Sequence, residues 1–198
     1  MKYILSLLAL CSSAAAGEFV VTCEDTAGIW FEYTGYVEDY DAETLHDLMV
    51  GAGSKQVFIV INSGGGSAYG GLDLFWEAER WQNLTTIAGE DYGAWSAAAV
   101  FWLGSPRDWF EGEEAKVGFH SAYCDPWNPP GCDTSLFQIQ LIEVLERCHL
   151  SGDIFNHYLN QLQEVWGVSG WALLTDEGWF FHESHFNLTD KITPTWTY

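Results

Sequence analysis

The stretch Val57-Phe58-Ile59-Val60-Ile61-Asn62-Ser63-Gly64-Gly65-Gly66-Ser67 decides the fold. Its first five residues are a continuous β-branched and aromatic run, which suits a strand buried on both faces of a parallel sheet. The three glycines let the backbone take positive φ and turn its N–H groups toward a bound group. Beyond them the apolar spacing predicts an amphipathic helix over roughly Gly71–Trp81. On its own such a turn serves equally as a tight connection with no ligand. It is not a phosphate loop, because the lysine of G-x-x-x-x-G-K-[ST] is missing, and it is not G-x-G-x-x-G in the required context.

Outward from this stretch, Phe19–Cys23 and Ile29–Tyr36 read as strands joined by a turn at Glu24–Gly28, and Asp41 or Thr44 caps a short helix running to Val50. On the other side come a strand at Thr85–Ala88, an apolar helix at Ala97–Leu103 and a strand at Lys116–Phe119. Helical periodicity follows at Ser135–Leu150 and Ile154–Val165. Strands alternating with helices predict βαβ units and a layered α/β fold with a parallel sheet. No internal repeat, low-complexity run or linker divides residues 17–198, which read as one domain.

The first residues read as an address. A short basic start (Met1–Lys2), a mostly apolar run (Tyr3–Leu10) and a small, polar segment (Cys11–Gly17) make the three-part layout of a secretory leader. Ala14-Ala15-Ala16 offers an A-x-A cleavage motif before Gly17, so the leader is expected to span residues 1–16 and the mature protein to be periplasmic or secreted. The apolar run is too short to cross a bilayer, and no later segment is long and apolar enough. A lipoprotein signal ending at Cys11 is disfavoured by the bulky Leu8 and Leu10 before it.

Removal of the leader leaves Cys23, Cys124, Cys132 and Cys148, an even count that reads as two disulfides in an oxidising compartment. Four cysteines allow three pairings; a short bridge from Cys124 to Cys132 would clip the Pro/Gly-rich loop between them and leave Cys23 with Cys148. Zinc is the competing reading, but no C-x-x-C pair is present. With 28 acidic side chains against 7 basic ones and a net charge of −21, the chain lacks the clustered Lys/Arg that a phosphate backbone needs, so nucleic acid is excluded as a partner. Anionic membrane surfaces are disfavoured for the same reason. Aromatics make up 16% of the residues, far too many for a disordered chain.

Two further elements carry chemistry. Gly93-Ala94-Trp95-Ser96-Ala97-Ala98-Ala99 places a serine at a helix start, where the dipole and free N–H groups favour negative charge. The plainer reading makes Ser96 only an N-cap. Val117-Gly118-Phe119-His120-Ser121 ends a strand with a histidine, a position more often structural than catalytic. Taken together with the glycine turn, they supply a nucleophile, a base and backbone donors for an oxyanion.

A strand ending in Asn62-Ser63-Gly64-Gly65-Gly66, a Gly-x-x-Ser helix start at Ser96, Arg107 after Gly104 and a strand ending at His120 resemble the Clp protease proteolytic subunit. The likeness is closer to its exported relatives of the ClpP/crotonase fold. It covers about Ile59–Tyr123, and more weakly the tail from Leu173-Leu174-Thr175 to Leu188–Ile192, similar to that family's last helix and closing turn. The resemblance implies a layered fold of repeated ββα-type units, an assembly into a trimer or larger ring, and hydrolysis of a peptide or protein substrate without ATP, cofactor or metal. It makes Ser96 the nucleophile and His120 the general base, with the N–H groups of Gly66 and Ala97 as the oxyanion hole and Gly64 and Gly65 as the substrate loop. Two departures stand out. Gly64 replaces the family's usual proline, and Val168-Ser169-Gly170-Trp171 holds no acid where its aspartate falls. Asp176, Ser169 and Asp153 are the candidates for the third member.

Three other classes compete. An inactive, oligomeric binding scaffold of the cell envelope would keep the fold and use Ser96 only as a cap. A crotonase-like acyl-CoA enzyme would need basic residues for the CoA phosphates. A glycosidase built on Glu111, Glu113 and Glu114 is undercut by how often such pairs arise in so acidic a chain. The tryptophans are spread from Trp30 to Trp196, which suits core and interface better than a sugar platform, and His182-Glu183-Ser184-His185 is not H-E-x-x-H.

Overall fold

The computed structural model describes residues 16–120, 135–148, 171–175, 178–182 and 190–191. The first sheet has the order β1-β2-β3-β4-β6, from β1 (Glu18–Glu24), β2 (Ile29–Thr34), β3 (Val57–Asn62), β4 (Leu84–Ala88) and β6 (Asp108–Phe110). All neighbours in it are parallel except β1 with β2. The helices between them are α1 (Asp41–Ala52), α2 (Ala68–Ala78) and α3 (Ala97–Leu103), so the molecule is a mixed α/β fold on a mostly parallel sheet. A second sheet has the order β10-β9-β8-β7-β5, from β5 (Ala94–Trp95), β7 (Val117–His120), β8 (Trp171–Thr175), β9 (Gly178–His182) and β10 (Asp190–Lys191). Only β5 and β7 are parallel there.

The burial pattern explains the layering. Leu45, Met49 and Ala52 put one face of α1 into the core, and every residue of α3 is buried. Strand β4 is buried on both faces; β3 buries Val57, Ile59 and Ile61 but leaves its other face half-covered, with Phe58 stacked on Trp30 at 4.2 Å. Helix α2 and helix α3 approach closely because Gly71 and Gly104 face backbone: a Cβ on either would stand 2.6 Å from Ala97 O or Phe75 O. Helix α4 (Ser135–Arg147) closes the core with Phe137, Leu141, Val144 and Leu145.

Several expectations change in detail. Helix α2 begins three residues early because Ser67 accepts from Gly70 N–H at 3.2 Å and caps it. Asp41 does not cap α1 from outside; it is the helix's first residue, after Tyr40. Leu173–Thr175 is strand, not the family's last helix. Strands β5 and β6 are too short to show periodicity and were not expected.

The Cys23–Cys148 bridge is not made; both are free thiols. Cys23 lies on edge strand β1, whereas the Cys148 thiol meets Leu103 O at 3.6 Å on the side where Asp108 of β6 acts on it. Four strand spacings of about 4.8 Å separate those edges, against the roughly 4.4–6.8 Å between Cα atoms that a disulfide requires. Burial first, then the charges of Asp108 and Glu79, push the Cys148 thiol up to about 12, which keeps it inert. Cys124 and Cys132 lie outside the described residues, as does the helix expected at Ile154–Val165.

Candidate active site

The site forms where the two sheets meet. Ser63, just past the end of β3, bridges Ala94 of β5, and β5 pairs with β7 in the register Ala94↔Val117 and Trp95↔Gly118. Segment 93–96 is thus pinned from both sides: Ser63 N–H donates to Gly93 O at 2.9 Å, Trp95 N–H to Ser63 O at 3.0 Å, and Ser96 N–H to Gly118 O at 2.7 Å. Gly93, at φ 84°, makes the entry turn; a Cβ there would lie 2.4 Å from Lys116 O.

The chain then turns sharply into α3 at Ser96, whose φ of 56° and ψ of −120° belong to a conformation that glycine adopts and L-residues resist. Ser96 is the only non-glycine residue at positive φ among the described residues. Its side chain makes no capping hydrogen bond; instead Oγ lies 2.7 Å from His120 Nε2. His120 ends β7, two residues beyond the one that pairs with Trp95, so the parallel register itself delivers the imidazole to the serine.

The glycine turn faces the same point. Val37 N–H donates to Gly65 O at 3.0 Å and Ser67 N–H to Val37 O at 2.8 Å, which fixes the loop through its outer edge. Gly65, at φ 92°, presses against the serine turn: a Cβ on it would stand 2.5 Å from Ser96 Cβ and 3.0 Å from Ala97 N. Among the described residues, neither the Gly66 nor the Ala97 N–H has an acceptor. Ala97 opens α3, where an N–H has no intrahelical partner. The loop's inner brace is Ser63, whose hydroxyl donates to Gly35 O at 2.7 Å and accepts from Gly65 N–H at 3.2 Å. Gly64 is exposed beside the Tyr92 ring.

Sequence reasoning missed the role of Asn62. Its Oδ1 accepts from Tyr92 N–H at 3.0 Å and Gly93 N–H at 3.3 Å, while Nδ2 donates to Glu32 at 3.1 Å. One amide thereby ties the glycine turn to the loop that carries Ser96; an Asn just before a Gly-rich turn was the available signal. Arg107 falls elsewhere, at the opposite ends of the strands, with its guanidinium 3.5 Å from Gln56. Asp176, Ser169 and Asp153 lie outside the described residues.

A separate cleft of about 820 Å³ opens between α1 and α2, lined by Asp39, Glu43, His46, Asp73, Trp76 and Glu77 among others. It holds none of the four groups above. Burial works against the Glu77 carboxylate, but donors from His46, Trp81 and Arg80 outweigh it and hold the group below its ordinary range. Among the described residues no group of His, Cys, Asp and Glu is arranged to hold a metal ion, and no helix is long and apolar enough to cross a membrane.

No known family pattern matches the chain, and neither does any curated protein. Solved structures do. An asparagine-to-aspartate mutant of ClpP1 from Listeria monocytogenes is similar at 11% identity with a TM-score of 0.47, covering 65% of this chain and 82% of that one. A serine-to-alanine mutant of 1510-N, a membrane-bound stomatin-specific protease, is similar at 10% identity and a TM-score of 0.41, covering 59% of each chain.

Proposed function

We propose that this protein is an exported, ClpP-like serine hydrolase that cleaves peptide bonds without ATP, with Ser96 as nucleophile and His120 as general base. The observation that carries the reading is the 2.7 Å contact between Ser96 Oγ and His120 Nε2, made by a serine held in a glycine-like conformation. A residue that is merely a cap gains nothing from that strain. A sharp turn that projects a hydroxyl toward a base does.

The reaction follows from the groups in place. His120 Nε2 takes the Ser96 proton as Oγ attacks the scissile carbonyl carbon. The carbonyl oxygen becomes an oxyanion, received by the N–H groups of Gly66 and Ala97. The tetrahedral intermediate collapses as His120 hands the proton to the leaving amine, and water repeats the sequence on the acyl-serine. Both donors belong to the backbone and are fixed before substrate arrives, so they need no reorganisation; losing one such donor typically costs about 2.7–4 kcal/mol in the barrier.

The third member is proposed among Asp176, Ser169 and Asp153, each of which lies outside the described residues. The exposed Tyr69, Leu136 and Ile139 on α2 and α4 support a homo-oligomer, proposed as a trimer or larger ring.

Intact-mass spectrometry after treatment with a fluorophosphonate probe tests the reading. A single adduct is expected, absent in Ser96→Ala and His120→Ala, and slowed in whichever of Asp176→Asn, Ser169→Ala and Asp153→Asn removes the third member. No adduct on the folded protein would leave an inactive scaffold as the function.

A further inference from the structure

Gly17, the first residue after Ala14-Ala15-Ala16, lies against a buried carboxylate. Asp41 is only 1% exposed. Its Oδ2 accepts from the Tyr33 hydroxyl at 2.7 Å and from Glu38 N–H at 2.8 Å. Among the described residues no Lys, Arg or His forms an ion pair with it. A carboxylate removed from water without a counter-ion is strongly destabilising, so this one is short of a partner. Tyr33 cannot be that partner, because a phenol is neutral or anionic and never cationic; burial, and then the hydrogen bond to Asp41, push it far above the ordinary range and keep it a neutral donor. The other groups beside the pair, Glu38 and Tyr40, bring no positive charge.

A Cβ built on Gly17 would stand 2.4 Å from both Asp41 Oδ2 and the Tyr33 hydroxyl oxygen. That point is one of the staggered places around the Gly17 Cα. While the chain is intact the Gly17 nitrogen is tied to Ala16, which bridges Tyr36. Once that bond is cut, a turn of about 120° around the Cα–C bond carries the nitrogen into the same place. Relaxation by a few tenths of an ångström then gives charge-assisted hydrogen bonds of about 2.7–2.9 Å. Any side chain at position 17 would occupy this space, which accounts for the glycine.

We propose that hydrolysis between Ala16 and Gly17 frees an α-ammonium that becomes the counter-ion of Asp41, and that this pair fixes the segment bracing the glycine loop. One water is consumed: its oxygen goes to the Ala16 carbonyl carbon as the C–N bond breaks, and both protons end on the Gly17 nitrogen, giving –NH₃⁺ and a carboxylate on the departing leader. A leader peptidase supplies the cut. The link to the site is short. Asp41 holds Glu38 N–H, and the adjacent Val37 holds Gly65 and Ser67. That link rests on the hydrolase reading; the ion pair does not.

The test begins with the N-terminus of the exported protein, read by mass spectrometry and expected at Gly17. Chains starting at Gly17 and at Ala16, otherwise identical, are then melted. The Gly17 chain should melt higher by about 2–4 °C or more, and Asp41→Asn should close the gap. Should Asp41→Asn not fold, Nα-acetylation of the Gly17 chain removes the charge and should lower its melting to that of the Ala16 chain. A cut elsewhere, equal melting of the two chains, or a gap that survives both changes overturns the ion pair. Fluorophosphonate labelling of Ser96 should be several-fold faster in the Gly17 chain. Equal labelling rates beside a melting gap overturn the link to the loop, and no labelling of either chain counts against the hydrolase reading while the melting gap still decides the ion pair.

Discussion

Ser96 occupies a backbone position that suits glycine, and its hydroxyl meets His120 rather than its own helix. A non-glycine residue in such a conformation stores about 1–3 kcal/mol. Replacing Ser96 by Gly should therefore raise stability, by about 1 kcal/mol in chemical denaturation, while abolishing probe labelling. Ser96→Ala keeps the Cβ and should abolish labelling without that gain. Greater stability in the inactive glycine variant is the signature of a site held under strain, and equal stability of the two variants would count against it. At this scale the sequence was legible where the chemistry is local. Ser96, His120 and Gly64–Gly66 announced themselves by type and spacing. Asp41 did not: as an acid ahead of an apolar period it reads as a cap, and its true partner Tyr33 lies on another element.

Among the elements, the packing of α2 against α3 sets the position of the helix that Ser96 leads into. Gly71 lies so close to Ala97 that a Cβ would stand 2.6 Å from its carbonyl oxygen and 2.9 Å from its Cα. These are backbone atoms, which cannot swing aside. Gly71→Ala should cost about 1–3 kcal/mol by overpacking. Because Ala97 carries one of the proposed oxyanion donors, probe labelling should slow as well, and denaturation curves read beside labelling rates check both. A variant that loses stability but labels at the parent rate would show that α3 moves as a rigid unit. Helices α1 and α2 were readable from their apolar spacing, and α3, β3 and β4 from unbroken apolar or β-branched runs. Strands β5 and β6, of two and three residues, are too short for either. Pairing supplied by distant neighbours makes them strands.

For the molecule as a whole, the dominant quantity is charge. A net −21 on 198 residues sets the folded surface repelling itself. Partial desolvation and the neighbouring Asp39 already hold the Asp73 carboxyl above its ordinary range. A group with a raised folded pKa binds its proton more readily folded than unfolded, so it favours folding as pH falls through that raised value toward the unfolded one. Glu77 works the other way, giving stability that is lost as pH falls through its depressed value. Melting temperature should accordingly rise with added sodium chloride at neutral pH and level off as the Debye length shrinks from about 10 Å at 0.1 M to 3 Å at 1 M. Differential scanning calorimetry across that salt series checks it, and a flat response would mean that the charges are too dispersed to matter. The fold class was legible because alternation of strand and helix survives in one dimension. The second sheet was not, since its register is written between residues as far apart as His120 and Trp171.

The seam between the two sheets has one more consequence. Ser96 directly follows β5, whose neighbour β7 carries His120, so serine and imidazole share the second sheet, whereas the glycine loop ends β3 of the first, joined to the second at the bridge of Ser63 and Ala94. Regions of a protein open with different free energies, and the meeting of two sheets is a natural boundary between cooperative units. Warming can part the serine and its imidazole together from the glycine loop while β3, β4 and the helices beside them remain folded. In such a molecule the temperature at which the proposed chemistry stops lies below the temperature at which the chain comes undone.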